Sequence, residues 1–170
     1  MIFVPYNRIA SVFYAHKWAY SRNPRYYNYD NLGGDCTNFA SQCLYAGTGI
    51  MNFTPTFGWY YRNANDKAPA WTGVTYFYNF LTQKHIRTGP FGIETSISKI
   101  QPGDFVQLNF KKGDEDIFDH TPIIVERGEV ASLDNVLVAA HSDDADFRPL
   151  NTYSFQDIRF IHILGAYRAV

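Results

Sequence analysis

The residue whose setting holds the most chemistry is Cys36. It follows Gly33, Gly34 and Asp35 and opens the run Thr37-Asn38-Phe39-Ala40-Ser41-Gln42-Cys43-Leu44-Tyr45-Ala46-Gly47. The glycine pair supplies a turn and Asp35 can cap. Phe39, Ala40, Cys43 and Leu44 share an apolar face, and Gly47 suits a helix C-cap. The spacing predicts a helix with Cys36 in its first turn. Unpaired N–H groups there carry partial positive charge, which favours a thiolate, and the thiolate is the nucleophile. The bland reading of the same residue is a small buried hydrophobe. Cys43 lies two turns on, about 10.5 Å along the same helix. That exceeds the ~7 Å between Cα atoms that a disulfide allows, and one zinc ion could not hold both sulfurs at ~2.3 Å. Cys43 reads as packing.

A nucleophilic thiol needs a base, usually histidine, oriented by a third polar group. His120 opens Thr121-Pro122-Ile123-Ile124-Val125, and His141 closes Val136-Leu137-Val138-Ala139-Ala140. If these segments are neighbouring antiparallel strands, the two imidazoles could meet, one as base and one as orienter. The bland reading of each is an ordinary strand-end histidine. His16, His85 and His162 read as structural. Asp143, Asp144 and Asp146 could hold Ca²⁺, but they lack the glycine and terminal glutamate of an EF-hand loop and read as a solvated turn. Asp114, Glu115, Asp116 and Asp119 read as a solvated loop. No spacing selects a carboxylate pair for glycosidase chemistry. There is no phosphate-binding glycine loop, no Gly-x-Ser-x-Gly elbow and no His-Glu-x-x-His. Neither a metal nor a cofactor is expected.

Elements must exist to bring these residues together. The chain has 170 residues, about one domain at ~150 residues each, so residues 1–170 are read as a single domain. Hydrophobic residues make up 46% and charged residues 18%, enough to bury a core without metals or disulfides. The net charge of −1 argues against a nonspecific nucleic-acid binder, which needs a basic patch. No apolar run reaches the ~18 residues of a membrane span. The start Met1-Ile2-Phe3-Val4-Pro5 lacks the marks of a signal peptide. Residues 7–20 read as a helix capped by Asn7, with Ile9, Ala10, Phe13, Tyr14 and Tyr20 on its apolar stripe. Trp71 to Leu81 reads as a helix, and residues 84–103 as mostly loop with a short helix possible from Ile93 to Ile100. The period then changes to two: strands are expected at Phe105–Phe110, Thr121–Glu126, Val136–His141 and Ile158–Tyr167. Helices first and strands after argue for α+β with an antiparallel sheet. Pro122 puts its strand at an edge or a bulge.

Arg22-Asn23-Pro24, Tyr26, Tyr29 and the run Gly33 to Gln42 resemble the bacterial "putative amidase" domain family, a branch of the papain-like hydrolases related to NlpC-type cell-wall peptidases. Tyr6-Asn7-Arg8, Trp59-Tyr60-Tyr61, Trp71-Thr72-Gly73-Val74, Pro102-Gly103-Asp104, His120-Thr121 and His141-Ser142-Asp143 are similar too. The likeness runs from about residue 6 to 150. It implies a papain-like fold, with the Cys36 helix packed on an antiparallel sheet that carries the histidines. It implies that Cys36 attacks an amide carbonyl, that His120 activates the thiol, and that His141 orients His120, with Ser142 or Asp143 as substitutes. The Cys36 N–H is expected to stabilise the oxyanion, with a second donor from Tyr29 or Asn31. Asp35 would cap the helix or grip substrate. Trp59 and Tyr60, with Tyr26, Tyr27, Tyr29 and Tyr61, could line the groove or belong to the core.

The function implied is a thiol-dependent amide hydrolase acting on peptidoglycan, as an N-acetylmuramoyl-L-alanine amidase or a stem or cross-link endopeptidase. An autolysin, a phage lysin or a secreted toxin would share this domain, which places it outside the cell or in the wall. A papain-like amidase, deamidase or acyltransferase on another protein or small amide is the second reading. A binding module that has lost its chemistry is the third.

Overall fold

In the computed structural model, which describes residues 1–111 and 117–170, the chain opens with a short strand, β1 (Ile2–Val4), and a helix, α1 (Arg8–Trp18). Asp114, Glu115 and Asp116 of the expected solvated loop lie outside the described residues. Asn7 caps α1 as predicted, its side-chain oxygen accepting from the Ala10 N–H at 3.0 Å. The buried face of α1 is not the expected one. Ile9, Phe13 and Tyr20 are exposed, whereas Ser11 and Ala15 are buried. The cause is close approach between helices: the Ser11 hydroxyl donates to the Cys43 carbonyl at 2.8 Å. Small residues allow that approach, and they override the larger apolar stripe.

The second helix, α2 (Cys36–Thr48), is buried around nearly its whole circumference, the pattern of a central core helix. It ends two residues later than predicted. Gly49, at φ 66°, is the left-handed cap, and its N–H donates to the Tyr45 carbonyl at 2.7 Å. Gly47 lies inside the helix, where a Cβ would sit 2.3 Å from the ring of Tyr6. A small hairpin follows, β2 (Tyr61–Asn63) and β3 (Asp66–Lys67). The helix expected over Trp71–Leu81 is two helices, α3 (Pro69–Thr72) and α4 (Val74–Thr82). Gly73 between them has extended backbone, φ −106° and ψ 128°.

The segment expected to be loop contains a seven-residue strand, β4 (Gly89–Thr95). The sheet continues with β5 (Phe105–Asn109), β6 (Ile123–Glu126), β7 (Leu137–Ala140), β8 (Ala145–Pro149) and β9 (Asp157–Arg168). All pairings are antiparallel, in the order β1-β9-β5-β6-β7-β8, with β4 also on β9. This is the α+β class with an antiparallel sheet. β6 begins after Pro122, which cannot donate to a ladder; His120 makes an isolated bridge to Leu108.

Side chains alternate across the sheet. Phe105, Ile123, Val125, Ala139 and Ile161 pack with α2 and the buried rings of Trp59 and Trp71. Val106, Leu108, Ile124, Val138 and Phe160 form a second cluster with Leu150 and Tyr153 on the other face. The N-terminus of α2 thus arrives at the sheet beside the stretch that leads into β6.

Candidate active site

Two glycines with positive φ, Gly33 at 87° and Gly34 at 102°, turn the chain into α2. Asp35 holds that turn from within. Its carboxylate is buried to 1% exposure. One oxygen accepts from the Tyr29 N–H at 2.9 Å and from the Asn38 amide at 2.8 Å. The other accepts from His141 Nδ1 at 2.5 Å. The Asp35 N–H in turn donates to Ser142 Oγ at 2.8 Å. Ser142 and Asp143 both have positive φ, 61° and 72°, so the β7–β8 turn adopts a backbone uncommon for such residues. That turn is pinned to the start of α2 by His141 and Ser142.

This corrects two expectations. Asp35 neither caps α2 with its side chain nor is free to grip substrate, because its carboxylate is enclosed and saturated. His141 does not orient His120. Its Nδ1 meets Asp35 and its Nε2 meets the Trp18 carbonyl at 2.7 Å, while its ring stacks on Phe39 at 3.9 Å. The ring is thus held at both nitrogens. His141 is a brace between α1, α2 and the turn.

Cys36 is the first residue of α2 and is 8% exposed. Its Sγ lies 3.7 Å from Thr37 Oγ1 and 3.9 Å from the Asp119 carbonyl oxygen. Among the described residues no acceptor takes the Cys36 N–H, as expected for a first-turn donor. Burial pushes the thiol up from its ordinary value, and the Asp35 carboxylate adds to this. Thr37 and backbone groups of Thr37 and Thr121 pull the other way without overcoming burial. Desolvation therefore opposes the thiolate that the first-turn position favours. Cys43 is fully buried and unpaired, as packing predicts.

The Asp119 carbonyl beside Sγ belongs to the peptide bond of His120, so the two sequence-predicted residues are neighbours through the backbone. Their side chains are not joined by a hydrogen bond among the described residues. Pairing with Leu108 puts the His120 ring on the sheet face of the second cluster. It sits between Phe110 (ring centroids 6.0 Å apart) and Tyr153 (5.7 Å). There it lines a cavity of about 390 Å³ with Ser142, Asp143, Arg148 and Ser154. Arg148 donates to Asp143 at 3.0 Å and lies 3.6 Å over the Tyr153 ring. The Tyr153 hydroxyl is buried.

Burial lowers the His120 imidazole to about 4; Arg148 assists, while Asp143 and Asp119 oppose. An unfolded histidine titrates near 6.5, so between pH 6.5 and 4 the unfolded chain binds more protons than the folded one. The stabilisation is complete above pH 6.5 and is lost as the pH falls toward 4, by roughly 3 kcal/mol at most from this residue. Thermal unfolding from pH 7 to 4 should show a shallower loss in His120→Gln than in the wild type. Superimposable profiles would exclude the effect.

The remaining expected site residues scatter. Trp59 is fully buried in the core, its indole N–H donating to Ser41 Oγ at 3.0 Å, so it lines no groove. Tyr60 is 7% exposed and packs on Phe53, and Tyr61 is also buried. Tyr29 is buried with its hydroxyl 3.5 Å from the Ala64 carbonyl, and Asn31 is exposed in the turn. Tyr27 is exposed. Asp143, Asp144 and Asp146 each pair with a different side chain, Arg148, Arg22 and His16, so they converge on no common point. Among the described residues no group of three or more His, Cys, Asp or Glu side chains is placed to hold a metal ion. Among them no helix is long and apolar enough to cross a membrane. Sequence reasoning did not single out Arg148 or Tyr153; only the β7–β8 hairpin and the turn after it bring them to His120.

Comparison with known proteins gives this arrangement its class. The chain belongs to the "Putative amidase domain" family, whose model matches residues 5–164. That description points to hydrolysis of an amide. A curated relative, "Uncharacterized protein YhbB" of Bacillus subtilis (strain 168), is 32% identical over 124 residues. The match covers 72% of this chain and 38% of the relative, so the chain spans well under half of the relative's length. No solved structure matches.

Proposed function

We propose that the protein is a thiol-dependent amide hydrolase with Cys36 as nucleophile and His120 as base, and that its substrate is an amide bond of peptidoglycan. The single observation that supports the chemistry most is the coincidence, at the start of α2, of a thiol and an unclaimed N–H. Sγ attacks the amide carbon, and the carbonyl oxygen gains charge where the Cys36 N–H can donate to it. The thiol proton passes to His120 and then to the leaving amine. Water next cleaves the thioester and releases the acid. The His120 ring lies against Phe110 and Tyr153, and the mechanism requires it to leave that slot and reach Sγ. A neutral imidazole suits the role of general base. The wall substrate rests on the likeness of the Cys36 segment to NlpC-type peptidases, and with it go a papain-like architecture and action outside the cell or in the wall.

Mass spectrometry of purified peptidoglycan after incubation tests the reading. Fragments present with the wild type and absent with Cys36→Ala support it, and their masses separate muramoyl–alanine cleavage from a cut within the peptide. No fragments from several wall chemistries would overturn the wall substrate. His120→Ala is expected to lose roughly 10²- to 10⁴-fold in turnover, the range of a general base. A variant within a factor of two of the wild type would remove His120 from the mechanism.

A further inference from the structure

A second cavity, of about 250 Å³, lies against β4 and β9 and does not involve the Cys36 site. Its walls are apolar where the sheet forms them, with Phe91, Leu164 and Tyr167; the rings of Phe91 and Tyr167 stack at 4.9 Å. The loop after α4 closes the other side and contributes Lys84, His85 and Arg87. No carboxylate lines it.

Arg87 is the anomaly. Its Nη1 donates to the His85 carbonyl at 3.0 Å, and its guanidinium lies over the Phe80 ring at 4.2 Å. Its Nε and Nη2 are buried with no hydrogen-bond partner among the described residues. Burial pulls the group down to about 10, still cationic at neutral pH, and no acidic side chain offsets the cost. Buried charges are normally paired. The two unmet nitrogens share one edge of the guanidinium, the side-on fork that grips a carboxylate through two parallel bonds.

We propose that this cavity is a binding site for a small organic carboxylate with an apolar body, taken by the Nε–Nη2 fork of Arg87 and seated against Phe91, Leu164 and Tyr167. Lys84 adds positive charge beside it. The fork nitrogens are covered where the guanidinium lies on the Phe80 ring, so the proposal includes a turn of that side chain into the cavity. The site is separate from the thiol chemistry and does not depend on it.

The test uses N-acetyl-leucine, its uncharged amide and inorganic phosphate as probes of the whole protein by ¹⁵N NMR. The carboxylate is expected to shift the amides of Gly89 and Gly92, on the strand beside the cavity, with millimolar affinity. The uncharged amide is expected to bind at least tenfold more weakly. Arg87→Gln should lose the carboxylate preference, and Arg87→Lys, which keeps the charge without the fork, should weaken binding about tenfold. Thermal unfolding of both variants checks that they fold, and Cys36→Ala should bind as the wild type does. Equal binding of acid and amide, no binding of either, or full affinity in Arg87→Lys would overturn the proposal. So would phosphate binding more tightly than the carboxylate, which would make the site one for phosphate.

Discussion

Cys36→Ala is expected to lower amide hydrolysis by about 10⁴-fold or more, to the background of the assay, while the protein stays folded. Removing a nucleophile abolishes the covalent route altogether, so the loss approaches the whole contribution of the catalytic group set. Stability should change little. The thiol's contacts to Thr37 Oγ1 and the Asp119 carbonyl are long, 3.7 and 3.9 Å. The measurement is turnover on peptidoglycan or its fragments, with thermal unfolding alongside. Turnover within tenfold of the wild type would mean that another group carries the chemistry.

The second large effect is on the fold. Asp35→Ala should cost about 3–5 kcal/mol, since buried donors left unsatisfied cost about 1–3 kcal/mol each. At 2–4 °C per kcal/mol for a chain of this size, the melting temperature falls by roughly 6–20 °C. The carboxylate is the meeting point of the Tyr29 N–H, the Asn38 amide and the His141 ring. Its loss leaves three buried donors without an acceptor. His141→Ala should cost a similar amount, and the double variant should be less destabilised than the sum of the two, because the partners act on each other. An unchanged melting temperature for Asp35→Ala, or strict additivity, would contradict the brace. Activity should fall as well, since the helix end that presents Cys36 is anchored by this carboxylate.

The nucleophile segment was legible because several local signals agreed there: a glycine turn, a helix period and a first-turn cysteine. The strands β5, β6, β7 and β9 were legible through their period of two. What sequence could not supply was the choice between competing surfaces. The stripe of Ile9 and Phe13 looked like the inner face of α1, yet Ser11 and Ala15 won because a hydroxyl and a methyl let two helix backbones approach. Strand β4 was hidden by Gly89, Pro90 and Gly92, residues that weaken strand propensity but are tolerated at an edge and at a bulge. The partner of His141 was likewise illegible. Two histidines near strand ends suggested a pair, but Asp35, 106 residues away, claimed the ring first. Arg87 gave no signal at all, because an unpaired charge shows itself only when its neighbours are known.

The strand β9 has a consequence in time. It lies C-terminal to β1, β4 and β5, yet all three hydrogen-bond to it. During synthesis β1 therefore waits for β9. At usual rates of synthesis that delay is on the order of ten seconds, during which β1 and β4 have no ladder partner and β5 has only β6. Folding is thus dominated by distant pairings, the kind that proceed slowly. A nascent chain halted before Asp157 should leave β1 and β4 unpaired, with β5 to β8 paired only to one another.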